Sequence, residues 1–146
     1  AFSFPKEMEE KQAIDRIIDF SQKQHTSYYY ENNHPSYPEL EQKAKIGKIY
    51  SLKNDGSVYC SGTLCPTLIA GMGKFPDRIP VVKDNYGIRR LTIRECLRFQ
   101  GFPENFNISR ENSIEDAYKQ IGNSVCVPIV NRIAIEIAKV LERKVL

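Results

Sequence analysis

The sequence predicts an α+β fold, a small irregular β-containing part followed by a helical tail. Three observations carry that expectation. Residues Lys48 to Cys60 read as two short strands around Asn54-Asp55-Gly56, because Asp-Gly supplies the positive φ that a tight hairpin needs. The last third of the chain carries helix start and stop signals in regular succession. At 146 residues and 41% hydrophobic content, there is enough apolar material for a modest core in one ordinary domain or two small ones.

Taken in order, Glu7 to Gln24 alternates charged groups with Ile14, Ile17, Ile18 and Phe20, a spacing that predicts a short surface helix with one buried stripe. Tyr28 to Pro38 turns to Tyr, Asn, Pro and Ser, which favours loop or edge strand. Its tyrosines (Tyr28, Tyr29, Tyr30, with Tyr37) have two readings, cover for a small core or contact with bases. After the hairpin, Thr67-Leu68-Ile69-Ala70 reads as a further strand, ending at a flexible basic loop, Gly71-Met72-Gly73-Lys74.

Thr92-Ile93-Arg94-Glu95 fits a capping box, in which the Thr hydroxyl and the Glu carboxylate satisfy free backbone donors at a helix start. Gly101 stops that helix and Pro103 prevents its resumption. Ser113-Ile114-Glu115-Asp116 is a second start, and the helix it opens runs to Gly122-Asn123-Ser124. Pro128 suits the first turn of a final helix, along which Val130, Ile133, Ala134, Ile137, Ala138 and Leu141 fall on one face. That face wants something to pack against.

Composition narrows the function classes without choosing one. No apolar run approaches the roughly 18 to 20 residues that cross a membrane, and the first residues lack the basic-then-apolar pattern of a signal peptide, so a cytoplasmic protein with no membrane contact is expected. Four cysteines (Cys60, Cys65, Cys96 and Cys126) with no Cys-x-x-Cys pair, and only two histidines, argue against a structural zinc site and for reduced thiols; no metal ligand is expected. A net charge of +3 permits contact with a polyanion but does not require it.

Two segments resemble the last two signature motifs of the DNA (cytosine-5) methyltransferases. Residues Arg89-Arg90-Leu91-Thr92-Ile93-Arg94-Glu95-Cys96-Leu97-Arg98-Phe99-Gln100-Gly101-Phe102-Pro103 are similar to the ninth, which organises the target-recognition domain. Residues Ala117-Tyr118-Lys119-Gln120-Ile121-Gly122-Asn123-Ser124-Val125-Cys126-Val127-Pro128 are similar to the tenth, which helps to form the S-adenosylmethionine pocket. Cys65-Pro66-Thr67-Leu68 resembles the Thr-Leu element of the recognition domains, and Phe4-Pro5 the segment that follows the eighth motif. The match is close over residues 89 to 128 and rests mainly on position and length over residues 1 to 64.

The resemblance implies a division into a target-recognition domain (1–108) and a part of the catalytic domain (109–146), whose helical tail would pack on a Rossmann-like catalytic domain. It implies double-stranded DNA and the catalytic N-terminal domain or subunit as partners, S-adenosyl-L-methionine as a shared cofactor, and a place in bacterial restriction-modification, near the nucleoid. Thr67 would donate to a phosphate near the flipped nucleotide, and the Gly71 to Arg78 loop, with Gly73, would read base edges. Lys74 and Arg78 are either contacts to guanine or phosphate, or ordinary solvated charges. Arg89 and Arg90 either meet phosphate or brace the domain through carboxylates. Asn123, Ser124 and Val125 would line the cofactor pocket, although from spacing alone a plain capping turn explains them; Tyr118 and Gln120 would support that turn. Arg94 and Glu95 are explained by structure, and Cys96 by burial.

No catalytic residue is expected among these 146, since no cysteine follows a proline and neither Glu-Asn-Val nor Gln-Arg-x-Arg occurs. The Gly-rich strand-to-helix turn that grips the cofactor is also missing. A fragment or one subunit of a split methyltransferase is therefore expected. The alternatives are a stand-alone DNA-binding or regulatory module without catalysis, and a nonfunctional remnant.

Overall fold

The computed structural model describes residues 2–6, 14–109 and 113–142. Helix α1 (Tyr37–Lys43), α2 (Ile93–Phe99), α3 (Ile114–Asn123) and α4 (Val127–Glu142) accompany the strands β1 (Ile49–Leu52), β2 (Val58–Gly62), β3 (Val81–Asp84) and β4 (Gly87–Arg90). The strands form one antiparallel sheet in the order β2-β1-β3-β4, an α+β arrangement as expected.

The hairpin is where the sequence places it. Leu52 pairs with Val58 and Ser51 with Tyr59, with an irregularity between Ile49 and Tyr50, and Gly56 takes a φ of 82° at the turn. Because side chains alternate across a strand, the sheet has two covered faces. Ile49 and Val82 point into one cluster with Ile18, Met72, Leu91, Leu97 and Ile121. Tyr50 and Val81 point into the other, with Leu40, Ala44, Val58 and Ile88, capped by α1.

Several expectations are corrected. The surface helix over 7–24 is, in its described part, a single 3₁₀ turn at Ile14–Arg16; residues 7–13 lie outside the described residues. Its apolar positions Ile14, Ile17 and Ile18 are buried nonetheless. Thr67 to Ala70 is not a strand, and the loop that follows is not free, because Ala70–Gly73 forms a 3₁₀ turn with Met72 and Gly73 buried. A third correction is α1, which begins inside the expected loop: Pro38 sits in its first turn, where a missing N–H costs nothing.

The tyrosines cover the core. Tyr28 packs on the first cluster and Tyr30 and Tyr37 on the second, while the Tyr29 hydroxyl donates to Asp84 Oδ2 at 2.9 Å.

Strands β3 and β4 turn on Asp84, whose Oδ1 accepts from the backbone N–H groups of Tyr86 (2.8 Å) and Gly87 (3.0 Å). Between this hairpin and α2 lies a buried ion triad. Arg89, with no exposed surface, donates from Nε to Asp84 Oδ2 (2.6 Å) and from Nη1 and Nη2 to the two Glu95 oxygens (both 2.8 Å). Burial works against the charge on Arg89, yet the two carboxylates outweigh it and hold the guanidinium above its ordinary range. The same Glu95 accepts from Thr92 N–H (2.7 Å) while Thr92 Oγ1 accepts from Glu95 N–H (3.2 Å), completing the expected capping box. Arg89 thus braces the domain, one of the two roles open to it from sequence.

Candidate functional site

Segment 65–78 and α3 are built against each other through glycines. A Cβ on Gly122 would overlap the Ile69 carbonyl group and Ala70 N, and one on Gly73 would overlap the Glu115 carbonyl and the Lys119 side chain. Close approach along α3, rather than approach to a ligand, accounts for Gly73. Tyr118 fixes the helix from inside, its hydroxyl donating to Leu91 O at 2.6 Å. Burial raises the Tyr118 hydroxyl well above the usual phenol range, which keeps it a neutral donor.

This interlock leaves an open cleft of about 410 Å³, lined by Pro66, Thr67, Leu68, Gln100, Gly122 and Ser124 among others. It brings together Thr67 and Ser124, residues far apart in the chain for which the resemblance implies different ligands. Of the turn itself, Gly122 and Asn123 complete α3, and Ser124, Val125 and Cys126 link it to α4. Ser124 closes the helix, with its N–H (3.1 Å) and hydroxyl (2.6 Å) both donating to Ile121 O. Val127 N–H donates to Gln100 O at 2.8 Å, so the link is tied to the end of α2. Asn123 is exposed and Val125 is 59% exposed, and neither lines that cleft.

On the other side of segment 65–78, Arg78 and Lys74 both lie against the exposed ring of Phe75, at 4.5 Å and 5.4 Å from its centroid. Gly71 is the space the Arg78 side chain uses: a Cβ there would come within 2.8 Å of Arg78 Nη1. Arg90, half-buried at the end of β4, turns inward and donates from Nη2 to Ser27 O at 2.7 Å. Arg94 donates to Asn107 Oδ1 at 2.8 Å, as an intradomain role requires. Gln120 is engaged within the fold. Cys96 is fully buried and its thiol is pushed far up by burial; Cys65 is pushed up to about 12 by the same cause, so neither is a ready thiolate.

No residue of α4 is buried, and Val130, Ile137 and Leu141, on the face read from sequence, are exposed together with Ile129 and Ile135. Among the described residues no group of His, Cys, Asp or Glu is placed to hold a metal ion, and no helix is long and apolar enough to cross a membrane.

The sequence model of the C-5 cytosine-specific DNA methylases matches residues 1–139, and the chain belongs to that family. Among its relatives are three Type II methyltransferases. M.Bsp6I of Bacillus sp. (strain RFL6) is 39% identical over 140 residues, 94% of this chain and 44% of the relative. M1.ScrFI of Lactococcus lactis subsp. cremoris is 33% identical over 144 residues, covering 97% and 35%. M.SsoII of Shigella sonnei is 33% identical over 143 residues, covering 97% and 36%. The chain thus spans less than half the length of these relatives.

Proposed function

We propose that this chain supplies the DNA-reading part, and one wall of the S-adenosylmethionine pocket, of a DNA (cytosine-5) methyltransferase whose thiolate comes from outside these 146 residues. It would act on bacterial double-stranded DNA in the cytoplasm, as part of a restriction-modification system. The observation that carries the reading is the cleft shared by Thr67 and Ser124, with segment 65–78 locked onto α3 by Gly73 and Gly122. A rigid joint of this kind sets the distance between DNA held on one side and a cofactor held on the other.

Residues 1–108 serve as the recognition part and 109–146 as a piece of the catalytic part. The division is one of role, since Tyr118 and Ile121 share a core with Ile49 and Val82. Thr67, Lys74, Arg78 and Arg90 hold or read DNA, Gly71 makes room for Arg78, and Gly73 acts through packing. For Arg90 this requires release from Ser27 O. The turn suits one wall of a cofactor site: the exposed Asn123 amide offers a donor and an acceptor, and the exposed Val125 an apolar surface two residues on. Ser124 contributes its position, its own donors being spent on Ile121 O. The cofactor supplies the methyl group. This chain's residues hold the DNA, orient the cofactor and close the pocket.

Duplex binding tests the DNA half of the reading. With a net charge of only +3, binding by the chain should be weak and should fall steeply as salt rises, because it depends on counterion release. Titration of a labelled duplex at two salt concentrations measures this; tight binding that ignores salt, or none at low salt, would overturn it.

A further inference from the structure

This inference rests on the DNA-reading role above and concerns which side chains read the bases. The fold brings the tip of the β1–β2 hairpin opposite the 3₁₀ turn Pro76–Arg78, leaving an open cleft of about 600 Å³ lined by Lys53, Asn54, Phe75, Asp77, Arg78 and His34, among others. The tip is firmly built. Lys53 N–H donates to Ser57 O and Gly56 N–H to Lys53 O, both at 2.9 Å. Asp55, exposed beside Asn54, has its Oδ1 accepting from the Ser57 N–H (2.9 Å) and hydroxyl (2.7 Å), which ties that carboxylate to the turn. These hydrogen bonds hold the Asp55 carboxyl below its usual range.

Asn54 is left exposed at the tip, and its amide makes no hydrogen bond among the described residues. Across the cleft, the Arg78 guanidinium lies over the Phe75 ring at 4.5 Å. No carboxylate reaches Arg78 within ion-pair distance among the described residues; neighbouring Asp77 instead meets His34 Nε2 at 3.2 Å. The cleft therefore presents an uncommitted amide and an uncommitted, pre-oriented guanidinium fork.

That pairing suits base edges better than phosphates. A phosphate is satisfied by any cation, whereas a planar fork matches the O6 and N7 acceptors of guanine, and a side-chain amide matches the donor and acceptor of adenine. Stacking on Phe75 restricts the fork before DNA arrives, so less side-chain freedom is lost on binding. We propose that Asn54 and Arg78 are specificity-determining residues: the cleft takes base-pair edges in the major groove, Arg78 engaging a guanine and Asn54 an adjacent base pair, with Lys53 on the phosphates.

Selection from a random duplex pool tests this, using the full chain and the Asn54→Ala, Arg78→Lys and Lys53→Ala variants, each first shown by circular dichroism to be folded. The wild-type chain should enrich a sequence. Asn54→Ala and Arg78→Lys should each lose preference at one base pair, with discrimination there falling roughly 5- to 150-fold, the range for a bidentate base contact. Lys53→Ala should weaken all sequences alike and lower the salt slope by about one. If Asn54→Ala and Arg78→Lys keep the wild-type motif, or weaken every sequence equally as phosphate contacts would, the inference fails while DNA reading stands. Should the wild-type chain enrich nothing, DNA reading itself fails, and the inference with it.

Discussion

Replacing Arg89 with Met should cost more stability than any surface change in this chain. The side chain has no exposed surface and joins two carboxylates, Asp84 and Glu95, on separate elements. Met replaces the aliphatic stem but not the guanidinium, and leaves both carboxylates buried without their cation. Removing one partner of a buried ion pair typically costs about 3–5 kcal/mol, a large fraction of the roughly 5–15 kcal/mol that holds a domain together. For a chain of 146 residues, that corresponds to a fall in Tm of roughly 6 to 20 °C. Urea unfolding followed by circular dichroism reads the change directly. The double variant Arg89→Met/Glu95→Gln should lose less than the sum of its single changes, because Gln no longer needs the cation and still accepts from Thr92 N–H. A loss below about 1 kcal/mol for Arg89→Met would refute the view that the triad pins the β3–β4 hairpin to α2.

Two further perturbations address the joints. Gly122→Ala places a methyl group against the Ile69 carbonyl and should cost at least about 1–3 kcal/mol as overpacking, measured by the same unfolding; a neutral result would mean that segment 65–78 and α3 are not locked. Ile133→Asp with Ile137→Asp should leave the chain folded, since no residue of α4 is buried, and should abolish activity restored by a catalytic-half polypeptide; full restored activity would exclude a docking role for α4.

The α+β class, the hairpin and the three later helices were readable because each is announced locally. Asp55-Gly56 marks the turn, Thr92 with Glu95 the cap, Ser113 the start of α3 and Pro128 the first turn of α4. Strands β3 and β4 went unread for a physical reason. Val81 and Val82 are buried on opposite faces, and Arg89 is a charge in the interior, so the polar-apolar alternation that marks a strand is missing. Helix α1 was hidden by Pro38, which reads as a breaker unless it falls in a first turn. The 3₁₀ turn at Ala70–Gly73 was mistaken for a flexible loop because Gly73 serves close packing, and only a partner helix far along the chain reveals that.

The site was readable in parts and not as a whole. The segments around Thr67 and Asn123 were singled out by resemblance as candidates, but nothing local says that Thr67 and Ser124 share a cleft; that follows from Gly122 meeting Ile69. The role of Arg89 was settled by Asp84, a partner that no short motif connects to it. Asn54 looked like a turn residue and nothing more, until the fold set it across from Arg78.

Methyl transfer in a mixture tests the central claim most directly. This chain, a polypeptide carrying the Pro-Cys and Gly-rich motifs of a family member, and both together are each given tritium-labelled S-adenosylmethionine and a mixed duplex substrate. Incorporation above background only when both polypeptides are present is the expected result. Incorporation by this chain alone, or no gain over the catalytic polypeptide alone, would contradict the account.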